Sequence, residues 1–136
     1  MVVLGLGLGG EEVAGQLAQA DLSVVGVEDC LVGGECPYWG CVPTKMMIWA
    51  AGLIAEARWV NGLAGEATVR PDWAPVAWRI RKEATDGWND QVAVDPFTGK
   101  GGRFVRGRGR ITAPGEVNVG DRVWRARRGI VLATGT

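Results

Sequence analysis

A chain of 136 residues is long enough for one domain with a modest core and too short for more. Its 15 basic residues cancel 15 acidic ones, which gives no reason to expect nucleic acid as a partner. Histidine is absent, so any chemistry must come from thiols, carboxylates, lysine or a bound cofactor.

Met1 to Leu4 is a short apolar run ending in glycines, Glu11 to Ala20 has helix-forming composition, and Leu22 to Val27 is a second apolar run with β-branched residues. The order reads strand, helix, strand, and hence an α/β fold. From Glu28 to Gly40 glycine, proline and cysteine dominate and no period survives; Pro43 then opens a helix to about Arg58. Loops longer than about 12 residues in a compact domain are usually functional or disordered, and this one carries Cys36 and Cys41 near its end, which favours function. Asn61 to Pro75 is loop-like, Val76 to Val94 reads as helical, and Asp95 to Gly102 is a break. Beyond it Arg103 to Ile111, Glu116 to Val119, Arg122 to Arg125 and Gly129 to Ala133 read as short strands, forming a small antiparallel meander that leads to a last strand.

The late arginines, Arg103 to Arg128, could form a phosphate-binding stripe, but their alternation with Phe104, Val105, Ile111, Val123 and Trp124 fits the solvent faces of strands better. Trp49, Trp59, Trp73, Trp78 and Trp88 fall on or near helical stretches and read as packing residues; Trp39, between the two cysteines, does not. Leu4 to Leu8 is too short and glycine-rich for a signal-peptide core, and no apolar run approaches the ~20 residues of a membrane span, so a cytoplasmic protein without a membrane partner is expected.

Gly5, Gly7 and Gly10 form a GxGxxG between the first strand and the first helix, where glycines permit a tight turn, backbone approach to a pyrophosphate and close helix packing. With 22 glycines the pattern arises by chance roughly once in two such chains, so its context carries the argument. The context is a strand before, a helix after, and Glu28 at the end of the second strand, placed to hold a ribose hydroxyl. Cys36 and Cys41, five apart, can reach disulfide geometry where a loop runs into a helix, and the free N–H groups of that helix favour negative charge beside Lys45. A buried structural pair or half of a zinc site are the alternatives, although zinc would find only Cys30 and carboxylates besides. Cys30 itself reads as a small packed residue.

The segment GGECPYWGCVPTK, Gly33 to Lys45, following the GxGxxG and an acidic strand end, resembles the hallmark of the class I pyridine nucleotide-disulfide oxidoreductases, among them dihydrolipoamide dehydrogenase and the glutathione, mycothione and mercuric reductases. Val131 to Gly135, VLATG, is similar to that family's second flavin motif, so the resemblance spans the chain. It implies a Rossmann-like FAD-binding domain, incomplete, with a long redox loop and the small antiparallel meander. It implies FAD, with Gly5, Gly7 and Gly10 at the pyrophosphate, Glu28 at the adenosine ribose, Gly33 and Gly34 close to the cofactor, Thr44 and Lys45 near the flavin, Gly109 at the adenine, and Thr134 and Gly135 in a turn beside it. Cys36 would be the interchange thiol; Cys41 would sit against the flavin and form a charge-transfer complex after two-electron reduction.

Whole family enzymes are several times longer, use NAD(P)H and form homodimers through a further domain. The nicotinamide and interface domains are expected to be absent from these 136 residues, with poor turnover and a tendency to associate when the chain stands alone. Tyr38 and Trp39 depart from the family's small-residue and asparagine pattern, which leaves a small disulfide, lipoamide or a metal ion as substrate. A non-catalytic FAD-binding fragment and a thiol-exchange module without flavin are the competing readings.

Overall fold

A computed structural model describes residues 1–135, which divide into two compact units, 1–34 with 89 onward, and 35–88. Along the chain the elements are β1 (Val2–Leu4), α1 (Leu8–Gln19), β2 (Val25–Glu28), α2 (Glu35–Tyr38), α3 (Cys41–Trp59), α4 (Ala74–Arg79) continued by a π-helical turn (Ile80–Ala84), α5 (Gln91–Gly99), β3 (Arg103–Arg106), β4 (Gly109–Ala113), β5 (Glu116–Val119), β6 (Arg122–Arg125) and β7 (Ile130–Leu132).

The first unit is a three-layer α/β fold. Its four-stranded sheet runs β3-β2-β1-β7, every pair parallel, and a separate sheet β4-β5-β6 is antiparallel. Successive side chains of a strand leave opposite faces, and the sequence uses both. Val3 of β1, Phe104 of β3 and Val131 of β7 pack with Leu6, Ala14, Ala18, Val94 and Phe97 under α1 and α5. Val2 and Leu4, Val25 and Val27, Val105 and Ile130 pack on the other face with Val117, Val119 and Trp124 of the meander. Gly26 faces α5, where a Cβ would come 3.0 Å from both Leu6 and Phe97, so even a methyl group there would require those side chains to shift.

Three expectations fail here, in whole or in part, for physical reasons. Of the break expected at Asp95 to Gly102, Asp95 to Gly99 instead form the second half of α5, since burial of Val94 and Phe97 outweighs the lost N–H of Pro96, and the chain turns only at Lys100 to Gly102. The chain breaks instead before it, where Asp86, Gly87 and Trp88 all take positive φ (47°, 68° and 63°), and this divides the helical region expected from Val76 to Val94. The strand expected from Arg103 to Ile111 is two strands in two sheets, parted at Gly107 with φ 142°. The arginines of this region are exposed; Arg103, Arg106, Arg110, Arg122 and Arg125 lie on strands, and Arg108, Arg127 and Arg128 between them.

The second unit is helical and thinly cored. Its α3 buries only Pro43. Trp49, Trp59, Trp73 and Trp78, expected to pack, are instead exposed by more than half, because α3 is apolar on more faces than this unit can cover. Arg79 covers part of that surface, its guanidinium lying 5.2 Å from the Trp49 ring while it pairs with Glu83. Size-exclusion chromatography with light scattering is accordingly expected to return species heavier than the 14.4 kDa monomer. A monodisperse monomer that melts cooperatively would contradict this. Among the described residues no helix is long and apolar enough to cross a membrane.

Candidate functional site

The strand order reverses at β1, with β2 and β3 on one side and β7 on the other, so the carboxyl ends of β1 and β7 form the switch point where parallel sheets open a ligand crevice. The three motif glycines meet there for different reasons. Gly5 has φ 88°, and a Cβ on it would lie 2.2 Å from the Ala133 carbonyl oxygen; Gly10 lies so close that its Cβ would be 2.0 Å from the Gly5 oxygen. Both glycines are required by the fold itself. Gly7 is not: its φ of −64° suits any residue, and its Cβ would meet nothing nearer than Gly34 Cα at 3.9 Å. It is the N-cap of α1, and no side chain caps that 12-residue helix. An uncapped helix end beside unfilled space presents backbone N–H groups to an anion, as a pyrophosphate requires. Thr134 and Gly135 are exposed just past β7, Gly135 at φ 76°.

Gly33 and Gly34, at φ 98° and 70°, lay a second glycine turn against the first. The Gly33 N–H donates to the Leu6 carbonyl at 2.7 Å, and a Cβ on Gly34 would come 3.0 Å from Gly7 Cα. The Glu28 carboxylate ties the arrangement together, accepting the Leu6 N–H at 2.6 Å and the Cys30 N–H at 2.8 Å. Cys30 was expected to be packed; it is exposed, because Glu28 holds its backbone in a turn on the surface. Gly109 sits over the sheet, where a Cβ would meet Leu4 Cδ2 at 2.6 Å and Val27 Cγ1 at 3.3 Å.

Sequence reasoning missed Asp90. It precedes α5 and looks like a helix cap, yet its side chain makes no cap bond. Asp90, 8 % exposed, instead accepts the Val32 N–H at 2.7 Å and a hydrogen bond from the Arg106 guanidinium, and so fixes the residue before the second glycine turn. No local pattern could reveal a partner 58 residues away. Burial alone would raise the Asp90 carboxyl; the hydrogen bonds from Arg106 and Val32, with the Arg106 charge, outweigh it and hold the group below its ordinary 3.8. A carboxyl with a lower pKa folded than unfolded binds fewer protons in the native state, so its contribution is complete above the unfolded value and is lost as pH falls through the folded one. Asp90→Asn is therefore expected to weaken the fold near neutral pH and to flatten its stability profile below about pH 4, as read by urea melts across pH. An acid limb unchanged by the substitution would refute the assignment.

The thiol site lies in the second unit. α2 is one turn, closed by the Trp39 and Gly40 N–H groups, which both donate to the Glu35 carbonyl at 2.8 and 2.7 Å. This turn folds Cys36 back on the start of α3: a Cβ on Gly40 would lie 3.6 Å from Cys36 Cα, and Cys41 is the first residue of α3. Both are free thiols, Cys36 half-buried and Cys41 exposed. A side-chain hydrogen bond to Cys41 raises the Cys36 thiol above its ordinary 9.0, with burial and the Cys41 charge acting the same way; a backbone hydrogen bond from Cys41 and the charge of Lys45 partly offset this. Thr44 and Lys45, both exposed, follow on the first turn of α3. The predicted site residues thus gather in two groups, the glycines with Glu28, Thr134 and Gly135 in the first unit, and Cys36, Cys41, Thr44 and Lys45 in the second. Among the described residues no three His, Cys, Asp or Glu side chains could hold a metal ion.

The family model described as pyridine nucleotide-disulphide oxidoreductase matches residues 1–136. The chain belongs to this family of oxidoreductases. It is 31 % identical to the dihydrolipoyl dehydrogenase of Thermus scotoductus over 139 residues, which take in 100 % of this chain and 29 % of that enzyme. It is 28 % identical to the glutathione reductase of Nostoc over 138 residues, 99 % of this chain and 29 % of that one. A solved structure, the Cu(II) complex of the HOCl-induced flavoprotein disulfide reductase RclA from Escherichia coli, superposes with a TM-score of 0.71 at 20 % identity over 98 % of this chain and 27 % of that one, and so shares the fold. The chain spans less than a third of the length of these relatives.

Proposed function

We propose that this chain carries the flavin-binding glycines and the redox dithiol of an FAD-dependent disulfide reductase, which moves electrons from NAD(P)H through flavin to the Cys36–Cys41 couple and on to a small disulfide, lipoamide or a metal ion. The two free thiols, with the turn at Gly40 folding Cys36 back on the start of α3 and Cys41 opening that 19-residue helix, carry this reading. Gly7 and the uncapped start of α1 fit the pyrophosphate of FAD, and Glu28 has lone pairs left for a ribose hydroxyl. Bound FAD would supply the two electrons that open the Cys36–Cys41 disulfide. The protein's own part is then thiol exchange. Cys36 gives up its proton and attacks one sulfur of the substrate disulfide, releasing the first thiol and leaving a mixed disulfide on Cys36. Cys41 then attacks the Cys36 sulfur, restores the intramolecular disulfide and releases the second thiol. Each cycle consumes two electrons and two protons and delivers two thiols. Three free cysteines fit a reducing cytoplasm, and the whole enzyme is read as a homodimer by its likeness to the family.

The test is the absorbance of the chain from 300 to 700 nm with FAD, before and after dithionite or dithiothreitol. A retained flavin spectrum that gains a long-wavelength thiolate-to-flavin band is the expected result. Flavin without that band would leave a non-catalytic FAD-binding fragment, and disulfide exchange without any flavin a thiol module.

A further inference from the structure

The amino ends of the parallel strands, opposite the glycine turns, open on a cleft of about 950 Å³. Its wall holds Arg103, Arg125, Arg127 and Arg128, with Asp21 as the one carboxylate and Trp124 between them. In a chain whose charges cancel overall, this is a local excess of positive charge in a concave surface, where field lines concentrate. The arginines are not absorbed by internal pairs. Arg125 bonds Glu116 at 2.9 Å and Arg103 lies 5.7 Å from the Trp124 ring, but among the described residues Arg103, Arg127 and Arg128 make no ion pair. Strand alternation accounts for the exposure of Arg103 and Arg125, while Arg127 and Arg128 lie between β6 and β7; it does not account for four arginines lining one cleft.

We propose that this cleft binds a small oligophosphate, a molecule carrying two or more linked phosphate groups. Guanidinium forks match phosphate oxygens two at a time, and several guanidiniums around a space this large exceed what one monovalent anion would engage. The site is independent of the flavin reading, since the glycine turns lie at the other end of the same strands.

Isothermal titration of the chain with sodium tripolyphosphate, and in parallel with ATP, tests it. Binding is expected at about 50 mM salt, weakening at about 200 mM as exposed charges are screened. Arg127→Glu combined with Arg128→Glu is expected to lower affinity by about tenfold or more, and Lys at both positions by less, because the charge stays and the fork is lost. Both side chains are exposed, so the circular dichroism spectrum should not change. Equal affinity for the two ligands identifies the phosphate chain as the whole determinant; tighter ATP identifies a nucleotide. No binding in the wild-type chain would overturn the proposal, as would binding that survives the double charge reversal. Binding lost in Gly7→Ala instead would place the phosphates at α1 and also overturn it. Arg127 and Arg128 lie away from the glycine turns, so the charge-reversal outcomes leave the flavin reading to be judged separately by the FAD titration.

Discussion

Gly7→Ala is expected to cost the chain about one to two orders of magnitude in FAD affinity while leaving its stability unchanged or slightly higher, whereas Gly10→Ala is expected to unfold it. The two glycines differ in what a methyl group meets. At Gly10 the new Cβ would lie 2.0 Å from a backbone oxygen of Gly5 and 3.0 Å from Ala133 Cβ, so α1 would have to leave the sheet edge or the Gly5 turn would have to open. Overpacking of that kind costs about 1–3 kcal/mol even where flexible side chains can adjust, and here the obstacle is backbone. At Gly7 the φ of −64° suits alanine and the nearest atom lies 3.9 Å away, so the gain of about 0.4–1 kcal/mol from a less flexible unfolded chain offsets the poorer N-cap that alanine makes. The added methyl would nonetheless fill the space that lets a pyrophosphate reach the N–H groups of α1. Thermal melts with flavin titrations of both variants give the comparison. Equal FAD affinity in Gly7→Ala and wild type would remove the strongest physical argument for a cofactor at this turn.

Much of this architecture was legible because it is local. The strand–helix–strand opening is written in two apolar runs around a glycine turn, and the meander in β-branched runs parted by Pro114, Gly115 and Gly120. What the sequence hid depends on distant partners. Nothing around Pro96 reveals that Phe97 will be held beneath the sheet against a glycine at position 26, so the local pattern reads as a break where a helix forms. Nothing near Asp90 names Val32 and Arg106 as its partners, so a residue that holds the second glycine turn passes for a cap. The tryptophans failed in the other direction: helical spacing and aromatic character are the marks of a core, but a core also needs an opposing surface, which the second unit lacks for Trp49, Trp59, Trp73 and Trp78. The cysteine pair was legible as a motif, and the one-turn α2 that brings the two thiols together was not, since the same residues read as loop.

Replacing either thiol, Cys36→Ser or Cys41→Ala, is expected to abolish disulfide reduction, but the two variants should part company in the reactivity of the thiol that remains. Cys36 is held protonated first by its hydrogen bond to Cys41 and then by burial and the Cys41 charge. Cys41→Ala removes both contributions of the Cys41 side chain, so the Cys36 pKa should fall toward 9.0 and its alkylation by iodoacetamide at a fixed pH near 8 should speed up several-fold, thiolate being the reacting form. Lys45→Ala works with the opposite sign: without the lysine charge the Cys36 thiol should rise further and alkylate more slowly. The pair of signs matters more than either rate, because unfolding of the α2–α3 junction would accelerate alkylation in both variants alike. Mass spectrometry of the Cys36 peptide over a pH series reads the two shifts directly. If Cys41→Ala left the alkylation profile of Cys36 where it was, the two sulfurs would not be in hydrogen-bonding contact, and the exchange step that passes the disulfide from substrate to Cys36 and then to Cys41 would lose its geometric basis.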